Sequence, residues 1–192
     1  VNAAVAAVAG YLLGAVSPAT LLARRHGYDL RASGSGNPGA TNAGRVLGRR
    51  FGIAVGLLDV LKGLVPAVLF GLVSHEAGLV AGLAAVLGHV TSPFLRGHGG
   101  KGVATAAGAV LGSHPLWAPF VLLAWVGVVV LTRWIALASV LAAVVLPVAA
   151  VVSGDDLWWA LAVAGVVLLR HRRNFVHRLR SRRPPDPEGT AP

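Results

Sequence analysis

The chain has 192 residues, a mean hydropathy of +0.71 and only 12% charged residues, about half the charge of an ordinary soluble domain. It contains no cysteine, which excludes disulfides, thiolate metal sites and a cysteine nucleophile. Its apolar residues form long runs rather than stripes, which argues against an amphipathic soluble bundle and predicts membrane helices that are hydrophobic all round.

The first predicted span is Val1 to Ala23, closed by Arg24 and Arg25. It lacks a basic leader and a cleavage-type sequence, so it reads as a retained span and not a signal peptide. The second runs from Phe51 to Val73 and ends at Ser74, His75 and Glu76; the third runs from Ala77 to about Leu95. The charge-free run Val103 to Thr132 is too long for one span of about 20 residues and short for two. Gly112, Ser113, His114 and Pro115 predict a break in it, giving a short fourth helix and a fifth from Leu116 to Thr132. Trp134 to Val152 is the sixth, Ser153 to Asp156 a turn, and Leu157 to Leu169 a short seventh. The expected fold is an all-α integral membrane protein with seven transmembrane helices, some short. Residues 1–183 form one domain, and the Pro-rich 184–192 are expected to be a disordered cytoplasmic tail.

Charge position supports the count. Sixteen of the seventeen basic residues fall in the loops after spans one, three and five or in the C-terminal tail; the other loops have none. Basic residues stay on the cytoplasmic side, which puts the N-terminus outside and the C-terminus inside. Merging spans four and five would place Arg133 and the tail on the side opposite the basic loops after spans one and three. The exception, Lys62, lies inside span two, three residues after Asp59. That spacing suits an ion pair, and a mutually neutralising structural pair is the expected role.

Three polar segments share the basic side: Ser33 to Arg50, Arg96 to Thr105, and Arg170 to Arg183. The first two mix basic residues with glycine, which lets backbone N–H groups approach an anion closely. The third adds His171 and Asn174, spaced to share a helical face. Phosphate is the common target this chemistry suggests. In the first segment Ser35, Gly36, Asn37, Thr41, Asn42 and Arg45 are the candidate ligands, while Arg24, Arg25, Arg49 and Arg50 read as connector charges. In the second, Lys101 stands among Gly99, Gly100 and Gly102 at a helix start, where an anion is favoured. His89 is expected to be structural, and His26, His75, His98, His114 and His177 carry no assigned role.

Other motifs fail on context. Gly34, Gly36 and Gly39 match G-x-G-x-x-G, but a membrane span precedes them where a dinucleotide site needs a strand. "GGKG" lacks the first Gly and the Ser/Thr of a Walker A loop. G-x-S-x-G, H-x4-D and D-x-x-D-G do not occur.

The stretches "GSGNPGATNAGR" (34–45), "LDVLKG" (58–63), "GHVTSPFLRGHGGKGVATAAG" (88–108) and "RHRRNFVHRL" (170–179) together resemble the bacterial acyl-phosphate:glycerol-3-phosphate acyltransferases. His98 and Phe175 depart from the usual pattern without touching the site residues. The resemblance implies a seven-span enzyme of the bacterial inner membrane with its active site at the cytoplasmic face. It would move a fatty acyl group from acyl phosphate to the 1-hydroxyl of glycerol 3-phosphate, giving lysophosphatidic acid and inorganic phosphate. The implied catalytic residues are Ser35, Arg45, Lys101, His171 and Asn174, with Gly99, Gly100, Gly102, Thr105 and Ser139 among the substrate-binding positions. No metal or cofactor is implied. The partners are the two substrates, membrane lipids and the acyl-phosphate-producing enzyme, and not nucleic acid. The hydroxyl proton has two candidate acceptors, His171 and the substrate's own phosphate. A phosphate or anion transporter is the alternative; it needs polar groups at mid-depth and internal repeats, and no repeat is found. A non-catalytic lipid-binding scaffold would explain the Arg-rich tail but not the first loop.

Overall fold

The computed structural model describes residues 2–180, omitting the side chains of Arg173 and of 175–180; the tail expected to be disordered lies outside the described residues. Within them the chain is all helical, without a strand. The helices are α1 (Ala3–Ala15), α2 (Pro18–Arg25), α3 (Ala40–Leu47), α4 (Arg49–Gly71), α5 (His75–Thr91), α6 (Val103–Ser113), α7 (Ala118–Thr132), α8 (Ile135–Ser153) and α9 (Leu157–Arg180). A short 3-10 turn, Pro93–Leu95, follows α5.

Among the described residues, four helical segments are long and apolar enough to cross a membrane: Ala3–Arg25, Arg49–Gly71, His75–Leu95 and Ile135–Ser153. Large apolar side chains such as Leu72, Leu116 and Leu131 are almost fully exposed on the outside. That surface is unfavourable in water by about 25 cal/mol per Å² and suits lipid. α6 and α7 are shorter apolar helices, and α9 continues past its apolar stretch into the basic segment.

Two boundaries differ from the sequence expectation. The first span is broken: α1 ends at Ala15, and Ser17 caps α2, with its hydroxyl accepting from the Thr20 N–H and Pro18 at the first helical position. Ser-Pro is a helix start, and it overrides the continuous apolar run. The break frees carbonyls, and two side chains satisfy them. Ser92 donates to the Ala15 carbonyl at 2.6 Å, and the Lys62 ammonium donates to the Val16 carbonyl at 2.7 Å. Lys62 also pairs with Asp59 at 2.9 Å, so the expected ion pair forms and closes the break as well. The second difference is α3, a helix inside the first polar segment.

Helix packing is set by small residues. Gly10 and Gly14 of α1 lie against the Ala81 and Ala85 carbonyls of α5, and Gly88 lies against the Tyr11 carbonyl of α1. Gly63 of α4 meets the Thr105 carbonyl of α6, and Gly108 of α6 meets the Val60 carbonyl of α4. A Cβ at any of these would sit 2.0–2.2 Å from that oxygen. In lipid, where helices gain no hydrophobic drive to associate, such close backbone approach provides the packing. The inner core gathers Leu79, Val86, Val110, Trp159 and Val163, from α5, α6 and α9. Trp159 fixes α9 to α5 by donating its indole N–H to the Leu79 carbonyl at 2.8 Å.

The chain visits two ends of this bundle alternately. His75, His114 and Asp156, which follow α4, α6 and α8, meet at one end. The Gly99–Lys101 turn and Arg170 meet at the other.

Candidate functional site

The first polar segment is a folded turn organised by one buried amide. Asn42 is 1% exposed. Its Oδ1 accepts from the Ser35 N–H at 2.8 Å, and its Nδ2 donates to the Leu30 and Ser33 carbonyls at 3.1 and 3.0 Å. An amide at such a position has no slack: each of these bonds fixes a different part of the turn. Gly34 and Gly36 adopt left-handed backbone, with φ of 62° and 70°, as a turn folded around Asn42 requires. The result presents the Ser35 and Thr41 side chains outward. Asn42 supports the turn from beneath; its side-chain atoms face the loop's own backbone. Arg45 lies in the last turn of α3 and is exposed. Arg31 ties the segment to the second one, donating from Nη2 to the Leu95 carbonyl.

The glycine-lysine turn is docked onto the end of α5. The Gly99 and Gly100 N–H groups donate to the Val90 and His89 carbonyls at 3.2 and 3.1 Å. Those two amides are therefore engaged by protein. Their carbonyls accept from Arg170, at 2.8 Å (Nη2 to Gly99) and 3.1 Å (Nε to Gly100). Both glycines are sterically required: a Cβ would sit 1.9 Å from the His89 carbonyl at Gly99 and 2.1 Å from His89 Nε2 at Gly100. His89 is the buried floor of the turn, and its Nδ1 lies 3.6 Å from Asp59. A structural role fits this placement.

Beyond the turn, Gly102, with φ 82°, stands just before α6, whose start has no side-chain cap. The helix's first N–H groups have no intrahelical partner, as at any helix start, and Lys101 stands beside them. Thr105, in the first turn of α6, is fully buried, and its hydroxyl has no partner among the described residues.

The third segment is the end of α9. His171 is 2% exposed and its Nδ1 lies 2.8 Å from the Val167 carbonyl. That bond assigns the proton to Nδ1 and leaves the lone pair on Nε2. Burial pushes the imidazole pKa below the ordinary histidine value. The Val167 contact opposes this, and the charges of Lys101 and Arg170 act with it. Asn174 is half-buried one turn further on. Lys101 in turn is held below the ordinary lysine value by burial, then by Arg170 and Arg45. Lys101 thus stands within electrostatic reach of Arg45, Arg170 and His171, and it brings three sequence-distant segments together in one basic, partly sheltered cluster. Ser139 stands apart on α8, where its hydroxyl donates to the Ile135 carbonyl at 2.8 Å and accepts from Trp125 Nε1 at 3.3 Å.

Arg31 and Arg170 were not singled out by sequence reasoning. Their signal, an arginine at the edge of each polar segment, is shared by connector charges. Only tertiary structure shows that they bridge segments.

An all-helical membrane bundle carrying a basic, phosphate-compatible cluster at one end defines a class of lipid-facing protein. The model of the glycerol-3-phosphate acyltransferase family matches residues 4–181. The chain is 45% identical over 188 residues to the glycerol-3-phosphate acyltransferase of Geobacter sulfurreducens, covering 93% of this chain and 94% of that one. It is 40% identical over 172 residues to that of Aquifex aeolicus, covering 86% and 89%. Among solved structures it is similar to the glycerol 3-phosphate form of PlsY, an integral membrane glycerol 3-phosphate acyltransferase, with a TM-score of 0.87, 38% identity and coverage of 95% and 94%. The lysophosphatidic acid form of the same protein gives 0.85 and 37%. The chain belongs to the glycerol-3-phosphate acyltransferase family, enzymes of phospholipid synthesis, and is a multi-pass membrane acyltransferase. Membership sets aside the transporter and scaffold alternatives.

Proposed function

We propose that the enzyme takes its acyl group from acyl phosphate and transfers it to the 1-hydroxyl of glycerol 3-phosphate, in a seven-span bundle whose basic end faces the cytoplasm. The observation that carries this reading is the convergence of Arg45, Lys101 and Arg170 around the α6 start and His171. Two substrates that each carry a phosphate need separate cationic holds close together. The seven-span topology is supported by the meeting of the chain at one end after α4, α6 and α8 and by the side bias of the basic residues. The inner membrane follows from the same bias in a bacterial family.

Acyl phosphate is a mixed anhydride with a good leaving group, so direct attack needs no acyl-enzyme. The glycerol oxygen attacks the acyl carbonyl carbon, the carbon–oxygen bond to phosphate breaks, and inorganic phosphate departs with that electron pair. The hydroxyl proton goes to His171 Nε2, poised as a neutral acceptor, or to the phosphate of glycerol 3-phosphate. Lys101 and the uncapped N–H groups of α6 hold the acyl-phosphate head and the charge that develops on it. With the Gly99 and Gly100 amides engaged by α5, those glycines act by shaping the turn. Arg45, with Ser35, Gly36, Asn37 and Thr41 around it, grips glycerol 3-phosphate, its planar fork suiting two phosphate oxygens at once. Asn174 orients the acceptor, Asn42 holds the turn, and Thr105 and Ser139 flank the acyl end.

The test is purified protein with glycerol 3-phosphate and either acyl phosphate or acyl-CoA, scoring lysophosphatidic acid. Turnover is expected with acyl phosphate alone. Comparable turnover with acyl-CoA refutes the donor assignment.

A further inference from the structure

At the end of the bundle remote from the glycine-lysine turn, three helices meet around one group of side chains. His75 opens α5, His114 follows α6 and Asp156 precedes α9. His75 Nε2 and His114 Nε2 lie 2.5 and 3.0 Å from the same carboxylate oxygen, Asp156 Oδ2. The ligand atoms of all three residues lie within 4.8 Å of one another.

Two of the three are held in place by the fold. The His114 ring stacks on Trp117 at 3.7 Å and 13° and lies tilted against Trp159 at 5.3 Å. Its Nδ1 is buried without a partner among the described residues, and its polar contact with Asp156 runs through Nε2. Asp156 adopts left-handed backbone, φ 42°, which is uncommon for a residue with a side chain. Its carbonyl accepts the Trp159 and Ala160 N–H groups that start α9, both at 3.0 Å, while its carboxylate turns to the two histidines. His75 is the adjustable member, with its side chain 56% exposed. Glu76 and Asp155 flank the group, so acidic residues gather here on a chain of net charge +10.

We propose that His75, His114 and Asp156 form a binding site for a divalent transition-metal ion of the zinc class, clasping the ends of α5, α6 and α9. Two imidazoles and a carboxylate are the ligand set of such ions, whereas magnesium and calcium take oxygen ligands. Zinc bonds of about 2.0 Å in a tetrahedral site put ligand atoms about 3.3 Å apart. The His114–Asp156 pair already stands near that separation. His75 has to withdraw from Asp156 by less than about 1 Å and swing toward His114, whose ligand atom stands no more than 4.8 Å away; its exposed position at the first residue of a helix allows this. The exposure of His75 leaves room for water to complete the shell. The role is structural: the ion adds a link among α5, α6 and α9 beside the Trp159–Leu79 hydrogen bond, at the end that carries none of the acyl-transfer residues.

The experiment uses tag-free full-length protein in detergent and phosphate-free buffer, stripped with chelator and then titrated with Zn²⁺. Bound zinc is counted after desalting, and thermal unfolding is followed with and without the metal. The visible spectrum of the Co²⁺-loaded protein reports coordination. The expected results are one retained zinc per chain, a higher unfolding temperature, and the absorption of low-coordinate cobalt. His75→Gln and Asp156→Asn should each weaken binding by about tenfold or more, a loss that even an outer-shell change can bring. His26→Gln and His98→Gln should leave it unchanged. Acyl transfer by His75→Gln reports that this variant folds. Failure of the wild-type chain to retain zinc overturns the proposal, as does equal affinity in His75→Gln and Asp156→Asn, or loss of zinc in the His26 or His98 variants.

Discussion

The two ends of the bundle solve the same problem, holding polar groups beside a membrane, in different ways. At the basic end, long glycine-containing segments are folded by internal clamps: Asn42 within its turn, and Arg31 and Arg170 between segments. At the other end, connections are short, and the polar groups are single residues at helix termini that meet directly, as His75, His114 and Asp156 do. The first arrangement leaves cationic and N–H groups free to face a substrate. The second turns its polar groups on one another. Chemistry on a lipid-borne substrate is therefore expected from the basic end, while changes at the other end should act on stability alone.

The sharpest way to break this contrast is steric. Gly99→Ala places a methyl group 1.9 Å from the His89 carbonyl oxygen, a backbone atom, and must displace the turn that carries Lys101. A shift of about 1 Å in a reacting group costs about a hundredfold in rate, so turnover should fall at least that far while the protein still folds as a membrane bundle. Gly165→Ala, where an added Cβ meets nothing within 4 Å, is the matched control and should keep wild-type turnover.

Arg170→Gln removes the charge-assisted bonds to the Gly99 and Gly100 carbonyls. Such bonds are worth about 1.5–3 kcal/mol, discounted here because Arg170 is partly in solvent. A fall of about tenfold in kcat is expected, with a smaller change in KM for glycerol 3-phosphate. Equal losses in both would mean that Arg170 touches substrate.

The pH profile sharpens the role of His171. Its pKa lies below the ordinary histidine value because the ring is buried near Lys101 and Arg170. The imidazole is therefore neutral and able to accept a proton at pH 7, and it protonates only as pH falls below the usual value of about 6.5. If Nε2 is the base, kcat is flat through neutrality and drops below that value, and His171→Ala abolishes the acid limb along with most of the rate. An acid limb that survives in His171→Ala assigns the proton to the substrate phosphate.

The smallest effect belongs to the other end. His75→Gln should change kcat and both KM values by less than about twofold, in keeping with a surface position away from the chemistry. A large loss of activity would erase the distinction between the two ends.

Much of this was legible in the sequence, for a physical reason. Helices in lipid are written as apolar runs, and their polar interruptions are costly enough to mark ends; hence the break at His114 and the turn before Leu157 were readable. The Asp59–Lys62 pair was readable from spacing. What stayed hidden depends on tertiary contact. α3, Ala-Thr-Asn-Ala-Gly-Arg-Val-Leu, is only about two turns long, too short for its period to be told from a loop. Asn42 looks like its neighbours Asn37 and Thr41 until its three bonds are seen. The amides of Gly99 and Gly100 looked available to an anion, but the end of α5 takes both. The histidine–aspartate cluster joins residues up to 81 positions apart, each unremarkable alone.

The central claim is that two cations at one end hold two different phosphates, and initial-rate kinetics with each substrate varied separately test it most directly. Arg45→Ala should raise the KM for glycerol 3-phosphate by about ten- to a hundredfold, the loss of one charge-assisted contact of about 1.5–3 kcal/mol, and Arg45→Lys should recover little because an ammonium cannot reproduce the bidentate fork. Lys101→Ala should instead lower kcat by a similar factor with acyl phosphate as donor. If Arg45→Ala leaves the KM for glycerol 3-phosphate unchanged and weakens acyl phosphate binding, the allocation of the two phosphates is contradicted.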